Sequence, residues 1–498
     1  MSSVKALRRD EPSDTDVLDL QAMSLEPKSP TRRGDVPLDI SPRHEALASI
    51  LSPIELLPDE LLGEIMVLAV KRPTLNLITV LVKREASAVD VMSLCEVCYR
   101  WRQIALRTPQ LWIRHFLPLT TRDSRQLSLT GTAMFFERSA PFPIHARLHS
   151  LGKALAPALN VLSRVAHRWK SLAIESVAAE FEAAALAQIP AGRLDGLAEL
   201  RLTLLNPEIF QCPNSGVFQS APRLRDLTIS MWDAPHTVPM PWAQLTQLSL
   251  KCGSPQACLD ILVQCHNIVS AKVHTKQWAE VDVSIGATVS LKHLELLEID
   301  MQICSSGDHL SPFLQRLHLP SLKSLSLALA LALPVDYEWF VSWLTPALTL
   351  FLTRSKELEN LELSHCIFAY DIPEVLWFTP SLTRLQFVDD DSVVDDDFFD
   401  ALRYSESDST HLAPKLETLD LMHMNVGVEL GEFSLGQMIR SRWWSDDELL
   451  AMAAPPGVVR LKCVKMGRWI DDDLPPFTQG FNETLRVYRS QGLDIRGF

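Results

Sequence analysis

Leu224-Arg-Asp-Leu-Thr-Ile229 is echoed by Leu245-Thr-Gln-Leu-Ser-Leu250, and the same spacing of apolar positions runs through the chain on both sides. With conservative exchanges the triplet recurs at Trp169/Leu172/Ile174, Leu197/Leu200/Leu202, Ile268/Ala271/Val273, Leu291/Leu294/Leu296 and Leu322/Leu325/Leu327. It continues at Leu358/Leu361/Leu363, Leu382/Leu385/Phe387, Leu416/Leu419/Leu421 and Val458/Leu461/Cys463. The last two positions alternate with their neighbours, which is the period of a short strand burying one face. The first position closes a turn ahead of that strand. One such unit cannot bury its apolar face alone, so neighbours must stack into a shared core. Ala221-Pro222, Thr379-Pro380 and Ala413-Pro414 stand ahead of three copies and mark the entry turn.

The middle position advances by 28, 27, 21, 23, 23, 31, 36, 24, 34 and 42 residues. Several steps match the roughly 20–29 residues of leucine-rich repeats, and the others exceed them. The expected fold class is therefore α/β: an irregular leucine-rich-repeat-like solenoid over 175–474, with a short-stranded parallel sheet, outer helices and a C-terminal tail at 475–498. Residues between and after the inward pair are expected on the concave face. They are Arg201 and Thr203, Ser249 and Lys251, Lys272 and His274, Glu362 and Ser364, Asp420, and Lys462. This row of mixed charge suits a protein substrate whose identity it does not name.

Upstream, Ser52-Pro-Ile-Glu-Leu-Leu-Pro-Asp-Glu-Leu-Leu-Gly-Glu-Ile-Met66 reads as a helix start. Pro58 fits the first turn, where a missing N–H costs little, and the acidic Asp59, Glu60 and Glu64 favour a helix N-terminus. Leu57, Leu61, Ile65 and Leu68 recur at helical spacing. A second helix is expected over Val91–Leu106, with Leu94, Val97, Cys98, Trp101, Ile104 and Ala105 towards one side and Thr108-Pro109 as its stop. Lys71–Met92 separates the two and is expected to add a helical turn.

This order of motifs (Leu-Pro-x-Glu-Leu-Leu, then Val-Cys-x-x-Trp-Arg, then a closing Pro-x-Leu-Trp) resembles the F-box, in the form found in large fungal families. The resemblance covers about 50–116 with specific motifs and continues more loosely through 174, and the repeats carry it to about 465; the F-box itself is expected over 46–116 with an insertion at 71–92. Phe136-Glu-Arg-Ser-Ala-Pro-Phe-Pro-Ile144 and Ala166-His-Arg-Trp-Lys-Ser-Leu-Ala-Ile174 are similar to the junction that follows it, so 117–174 is expected to link into the repeats. The resemblance implies a substrate-recognition subunit of a Skp–cullin–F-box ubiquitin ligase, with catalysis performed by other subunits. It implies a Skp-type adaptor as partner and, through it, a cullin. Carried over by position, the adaptor contacts are Pro53, Ile54, Leu57, Pro58, Leu61, Ile65, Val97, Trp101, Leu111 and Trp112. A non-catalytic F-box scaffold acting outside the ligase is the alternative.

The charge of −14 repels phosphate backbones and argues against nucleic acid as main partner. Met1–Asp10 is polar and basic with no apolar stretch behind it, unlike a signal peptide. The longest apolar run, Leu325–Val335, is too short to span a bilayer, so no membrane partner is expected. Nine scattered cysteines read as reduced thiols of the cytosol or nucleus. Cys95 and Cys98 are expected as small buried thiols on one helical turn, and His266 beside Cys265 as a core position. Residues 1–45, proline-rich and without aromatics, are expected to be disordered. No phosphate loop, nucleophile elbow or zinc-binding helix occurs, so no catalytic residue, metal or cofactor is expected. The acidic clusters Asp389–Asp391, Asp395–Asp397 and Asp471–Asp473 read as solvated loops. Trp443, Trp444 and Trp469 read as outer-face packing, and Trp339 with Trp343 as one buried helical stripe.

Overall fold

The computed structural model describes residues 53–70, 91–113, 129–150, 155–176, 186, 189–190, 192–203, 215–231, 238–253, 255–275, 288–303, 310–331, 337–364, 372–388, 396–407, 410–423, 432–452, 456–466 and 477–497. The expected tail 1–45 and most of the expected insertion 71–92 lie outside them. The chain divides after Leu62 into two units.

The first unit carries a 3-10 turn, Pro53–Leu56, and the start of helix α1 (Asp59–Ala69), which continues past the division. Leu57 N–H donates to the Ile54 carbonyl at 3.4 Å, and Leu62 N–H donates to the Pro58 carbonyl at 3.0 Å. Proline thus contributes the acceptor that opens the helix while lacking only a donor that would have gone unused.

The second unit continues with α2 (Val91–Val97), α3 (Tyr99–Arg107), a 3-10 turn at Pro109–Trp112 and α4 (Leu129–Arg138). The single helix expected over Val91–Leu106 is two. Cys98 interrupts it with extended backbone, φ −160° and ψ 172°, and its Sγ accepts the Trp101 N–H at 3.5 Å. A thiol stands in for the usual hydroxyl or carboxylate cap. Arg102 Nε donates across the break to the Cys95 carbonyl at 2.8 Å. Cys95 is buried as expected, but Cys98 is exposed.

Among the described residues, the remainder of this unit is built on a parallel sheet of thirteen strands. In chain order they begin β1 (Ile144–Ser150), β2 (Trp169–Ser176), β3 (Glu199–Thr203), β4 (Asp226–Ser230), β5 (Gln247–Lys251) and β6 (Ser270–Thr275). After a small separate pair, β7 (Val289–Ser290) with β9 (Leu317–His318), the main sheet holds β8 (Leu296–Ile303) and β10 (Ser324–Leu331). It ends with β11 (Asn360–Ser364), β12 (Arg384–Val388), β13 (Thr418–His423), β14 (Cys463–Met466) and β15 (Asp494–Arg496). This is the helical module followed by a leucine-rich-repeat-like solenoid. Connection length sets what crosses between strands. Among its described residues, the 21-residue step from Leu227 to Leu248 carries a three-residue 3-10 turn, Trp242–Gln244. The 36-residue step from Leu325 to Leu361 accommodates the sixteen-residue helix Tyr337–Leu352.

Two rungs of apolar side chains run through the sheet in register. The first passes through Leu172, Leu200, Leu227, Leu248, Ala271, Leu297, Leu325, Leu361, Leu385, Leu419, Val464 and Ile495. The second follows two residues later, through Ile174, Leu202, Ile229, Leu250, Val273, Ile299, Leu327 and Leu363. All of these are buried. A backbone rail runs beside them. At the main-sheet entries from β4 to β14 one carbonyl takes two consecutive N–H groups of the next unit: Ala198 from Arg225 and Asp226, Thr246 from Val269 and Ser270, Glu359 from Thr383 and Arg384, all between 2.8 and 3.1 Å. The first residue of each triplet then closes its turn, as in Leu224 N–H to the Ala221 carbonyl at 3.3 Å.

Two expected copies are out of register by three residues. The true units are Leu294/Leu297/Ile299 and Leu461/Val464/Met466, because Leu297 faces Ala271 and Leu325, and Val464 faces Leu419. The steps around β8 become 26 and 28 residues, more regular than expected. Both ends of the expected solenoid also move. β1 and β2 already belong to the sheet, ahead of residue 175, and the expected tail carries helix Gln479–Ser490 and the last strand, β15.

Two arginines secure the irregular places. Arg168 donates to the carbonyls of Phe136 (2.7 Å) and Phe142 (2.6 and 2.9 Å) and to Ser139 Oγ (2.9 Å), joining the two stretches of the junction. Arg442, fully buried near the end of the sheet, donates to the carbonyls of Leu402 (2.6 Å), Leu412 (2.5 Å) and Ala413 (3.0 Å). Ala413 has φ +41°, left-handed for a residue with a side chain. The Arg442 carbonyl also takes the Leu461 N–H at 2.9 Å, where other units use the carbonyl three residues back. Burial pushes the guanidinium down to about 10, so it stays charged at neutral pH. Arg442→Met removes this donor from the buried carbonyls of Leu402 and Leu412, while Ala413 keeps the Leu416 N–H, and should cost at least about 2 kcal/mol, at 1–3 kcal/mol for each orphaned acceptor. Arg442→Lys should restore only part, since an ammonium cannot span the fork. Urea unfolding of the three proteins measures both.

Candidate interaction surfaces

The adaptor candidates divide by exposure. In the first unit Ile54 and Leu57 are half-buried, Pro58 and Leu61 are exposed, and Leu62 is buried. Pro53 lies in the 3-10 turn. In the second unit Ile65 and Val97 are exposed, and Trp101 is half-buried. Leu61, Ile65 and Leu68 follow the i, i+4, i+7 spacing of one helix, with 53, 44 and 81% of their surface in water. A helix normally turns such a stripe inward. Leu56, Leu68, Met92 and Tyr99 are equally exposed apolar side chains outside the expected set. Leu68 could have been found from its spacing with Leu61, while Tyr99 gave no sign.

Leu111 and Trp112 leave the contact set. Both are buried within this chain. Trp112 Nε1 donates to the Ala105 carbonyl at 2.8 Å, its ring lies 4.9 Å from Phe135, and the Arg138 guanidinium sits 4.5 Å over it. The tryptophan is a post between α3 and α4, satisfied on its polar atom and on both sides of its ring.

Across the repeats, the residue between the two inward positions forms a continuous solvent-face row. Arg201, Thr228, Ser249, Lys272, Glu298, Ser326, Glu362, Gln386, Asp420, Lys465 and Arg496 stand side by side. Two residues on, Thr203, Ser230, Lys251, His274 and Asp300 form a second row. Arg201, Thr203, Lys251 and Lys272 are exposed, and Ser249, His274 and Glu362 half-buried. Ser364 and Asp420 are buried and offer little to a partner. Lys462 is not in the row: the slip of three places it on the entry rung, paired with Glu417 at 2.7 Å. Lys465 takes its place and pairs with Asp420 at 2.5 Å. Cross-strand pairing neutralises much of the row. Lys272 binds Glu298, His274 Nδ1 donates to Asp300 Oδ2 at 2.5 Å, Arg147 binds Glu175 at 2.5 Å, and Ser326 Oγ donates to Glu362 at 3.2 Å.

Asp226 is half-buried, one residue before Leu227 and opposite Glu199. Burial first, then Glu199, raises its carboxyl above the ordinary 3.8, and Arg201 partly offsets this.

Other sequence features resolve as follows. His266 is exposed, not in the core, while Cys265 is buried. Trp443 is buried under the Arg460 guanidinium, 4.8 Å from its ring, and Trp444 packs edge-on against Tyr404 at 5.7 Å. Trp469, Asp389–Asp391, Asp395 and Asp471–Asp473 lie outside the described residues, as do the side chains of Trp339 and Trp343. Asp396 and Asp397 open helix Asp396–Leu402, where carboxylates oppose the helix dipole. Among the described residues no cluster of three metal-ligating side chains occurs, and no helix is long and apolar enough to cross a membrane.

Residues 54–118 match the family model described as F-box-like. No curated protein matches the chain. Among solved structures, the Rad7 and Elc1 complex in yeast shows 14% identity and a TM-score of 0.32, covering 93% of this chain and 99% of that chain. The leucine-rich-repeat protein LIC12759 of Leptospira interrogans shows 13% identity and a TM-score of 0.28, covering 86% and 100%. The TLR13–ssRNA13 complex shows 13% identity and a TM-score of 0.29; the match covers 65% of this chain and 48% of that one, about half its length.

A pH test reads the Asp226 environment. Below 3.8 the carboxyl is protonated in both folded and unfolded chains. As pH rises through that value and then through the higher folded one, ionisation of the folded form becomes the costlier. Asp226→Asn should therefore shift the urea midpoint upward at pH 7, and the gain should vanish near pH 3.

Proposed function

We propose that this chain is the substrate-recognition subunit of a Skp–cullin–F-box type ubiquitin ligase, acting in the cytosol or nucleus. The observation that carries the reading is the F-box-like match at 54–118 together with the apolar side chains this segment leaves in water. Leu61, Ile65 and Leu68, with Met92, Val97 and Tyr99, expose apolar area on helices short enough to need all of it for their own packing. In this reading they dock in a Skp-type adaptor, and the adaptor joins a cullin. The solvent-face row of the repeats, with Arg201 and Lys251 among its exposed cations, receives a protein substrate. The chain performs no bond chemistry of its own. It raises the local concentration of substrate at an enzyme held elsewhere in the assembly.

Leu61→Asp combined with Val97→Asp tests the adaptor contact. Each position is more than half exposed, so the thermal melt should remain unchanged. Burying a leucine- or valine-sized side chain is worth roughly 1.5–3 kcal/mol, so the pair should weaken adaptor binding by about 100-fold or more. Undiminished co-purification of a Skp-type adaptor would remove the ligase reading. Arg201→Glu with Lys251→Glu should keep the adaptor and lose proximity-labelled substrates. A labelling profile identical to the parent's would move the substrate site off this row.

A further inference from the structure

Cys252 immediately follows β5, and its N–H is held by the His274 carbonyl at 3.1 Å. Cys258 sits in the next helix, Pro255–Leu262. Both are fully buried, and their sulfurs lie 2.8 Å apart. Non-bonded heavy atoms normally rest at about 3.5–4.0 Å, and a disulfide closes to about 2.0 Å. The pair therefore stands between contact and bond, held there by a strand end on one side and a helix on the other. Cys265, buried directly after the turn that ends the helix, belongs to the entry of β6, where its carbonyl takes the Ile268 N–H.

We propose that Cys252 and Cys258 are an intrachain disulfide site, closed by a disulfide-class oxidant such as glutathione disulfide. One thiolate attacks the oxidant, forming a mixed disulfide and releasing the first glutathione thiol. The second thiolate attacks the protein sulfur of that mixed disulfide and releases the second. Two S–H bonds break and one S–S bond forms; the two electrons reduce the oxidant, and the two protons end on the glutathione thiols. Sharing a proton with Cys252, and then burial, push the Cys258 thiol well up, so few thiolates exist in the closed corner. Exchange consequently passes through opening of the strand–helix corner and is slow, while its equilibrium reflects the proximity of the pair. The crosslink ties helix Pro255–Leu262 to the end of β5, next to Lys251 on the solvent-face row.

The test is equilibrium oxidation of the folded full chain in glutathione buffers of increasing disulfide-to-thiol ratio, with acid quench, alkylation under denaturing conditions and peptide mapping. The expected product is a Cys252–Cys258 crosslinked peptide lacking two hydrogens, reversed by dithiothreitol, and formed at a lower ratio than glutathionylation of the exposed Cys98. Cys258→Ser should abolish the crosslink, and Cys265→Ser should leave it intact. Recovery of Cys252 and Cys258 both alkylated while Cys98 is already modified overturns the proposal. So does a crosslink joining either of them to Cys265.

Discussion

Every part of the sheet depends on one constraint: a single strand-turn unit cannot bury its own apolar face. Leu227 and Ile229 are buried in one core with the rungs supplied by Leu200 and Leu202 on one side and Leu248 and Leu250 on the other. Stacking solves the burial problem and creates a polar one, because the entry to each strand carries two N–H groups in succession. The shared carbonyl at the entries from β4 to β14 answers it, taking both donors where a plain ladder would satisfy one. Apolar rungs and the backbone rail are thus two consequences of the same requirement.

The fold was legible wherever that requirement writes a pattern. Nine of the eleven triplets fall in register because the alternation of inward and outward positions is enforced on both sides. The two slips have a physical source. Leu291, Leu294, Leu296, Leu297 and Ile299 satisfy the triplet in either of two settings three residues apart, and so do Val458, Leu461, Cys463, Val464 and Met466. Only the neighbours decide: Ala271 and Leu325 select Leu297, and Leu419 selects Val464. The slip at β14 then misplaces Lys462 and hides Lys465. The end strand β15 escaped notice because it has a single neighbour and turns only Ile495 inward.

Helical periodicity says less about the front of the chain. It groups Leu61 with Ile65 and Leu68, but in a helix of eleven residues it does not say which group faces water. Trp112 looked like part of an outward motif, yet its size and its single donor are better used between Ala105, Phe135 and Arg138. The break at Cys98 was hidden for another reason. Cysteine carries no strong capping signal, and the apolar spacing continues across it.

Irregularity in such an array is confined by its one-dimensional architecture, since each unit touches only its neighbours. The step from Leu419 to Val464 spans 45 residues, and it leaves Leu461 without the usual acceptor three residues back. Arg442 repairs this locally. Its carbonyl accepts that N–H, and its guanidinium gathers the carbonyls of Leu402, Leu412 and Ala413. A cation that bonds only backbone acceptors places no demand on the identity of surrounding side chains. The connection can therefore grow without disturbing the rungs. The same separation holds on the solvent face, where the pairs Lys272–Glu298 and His274–Asp300 involve adjacent strands only. Outward residues are free to vary, while the inward leucines answer to packing.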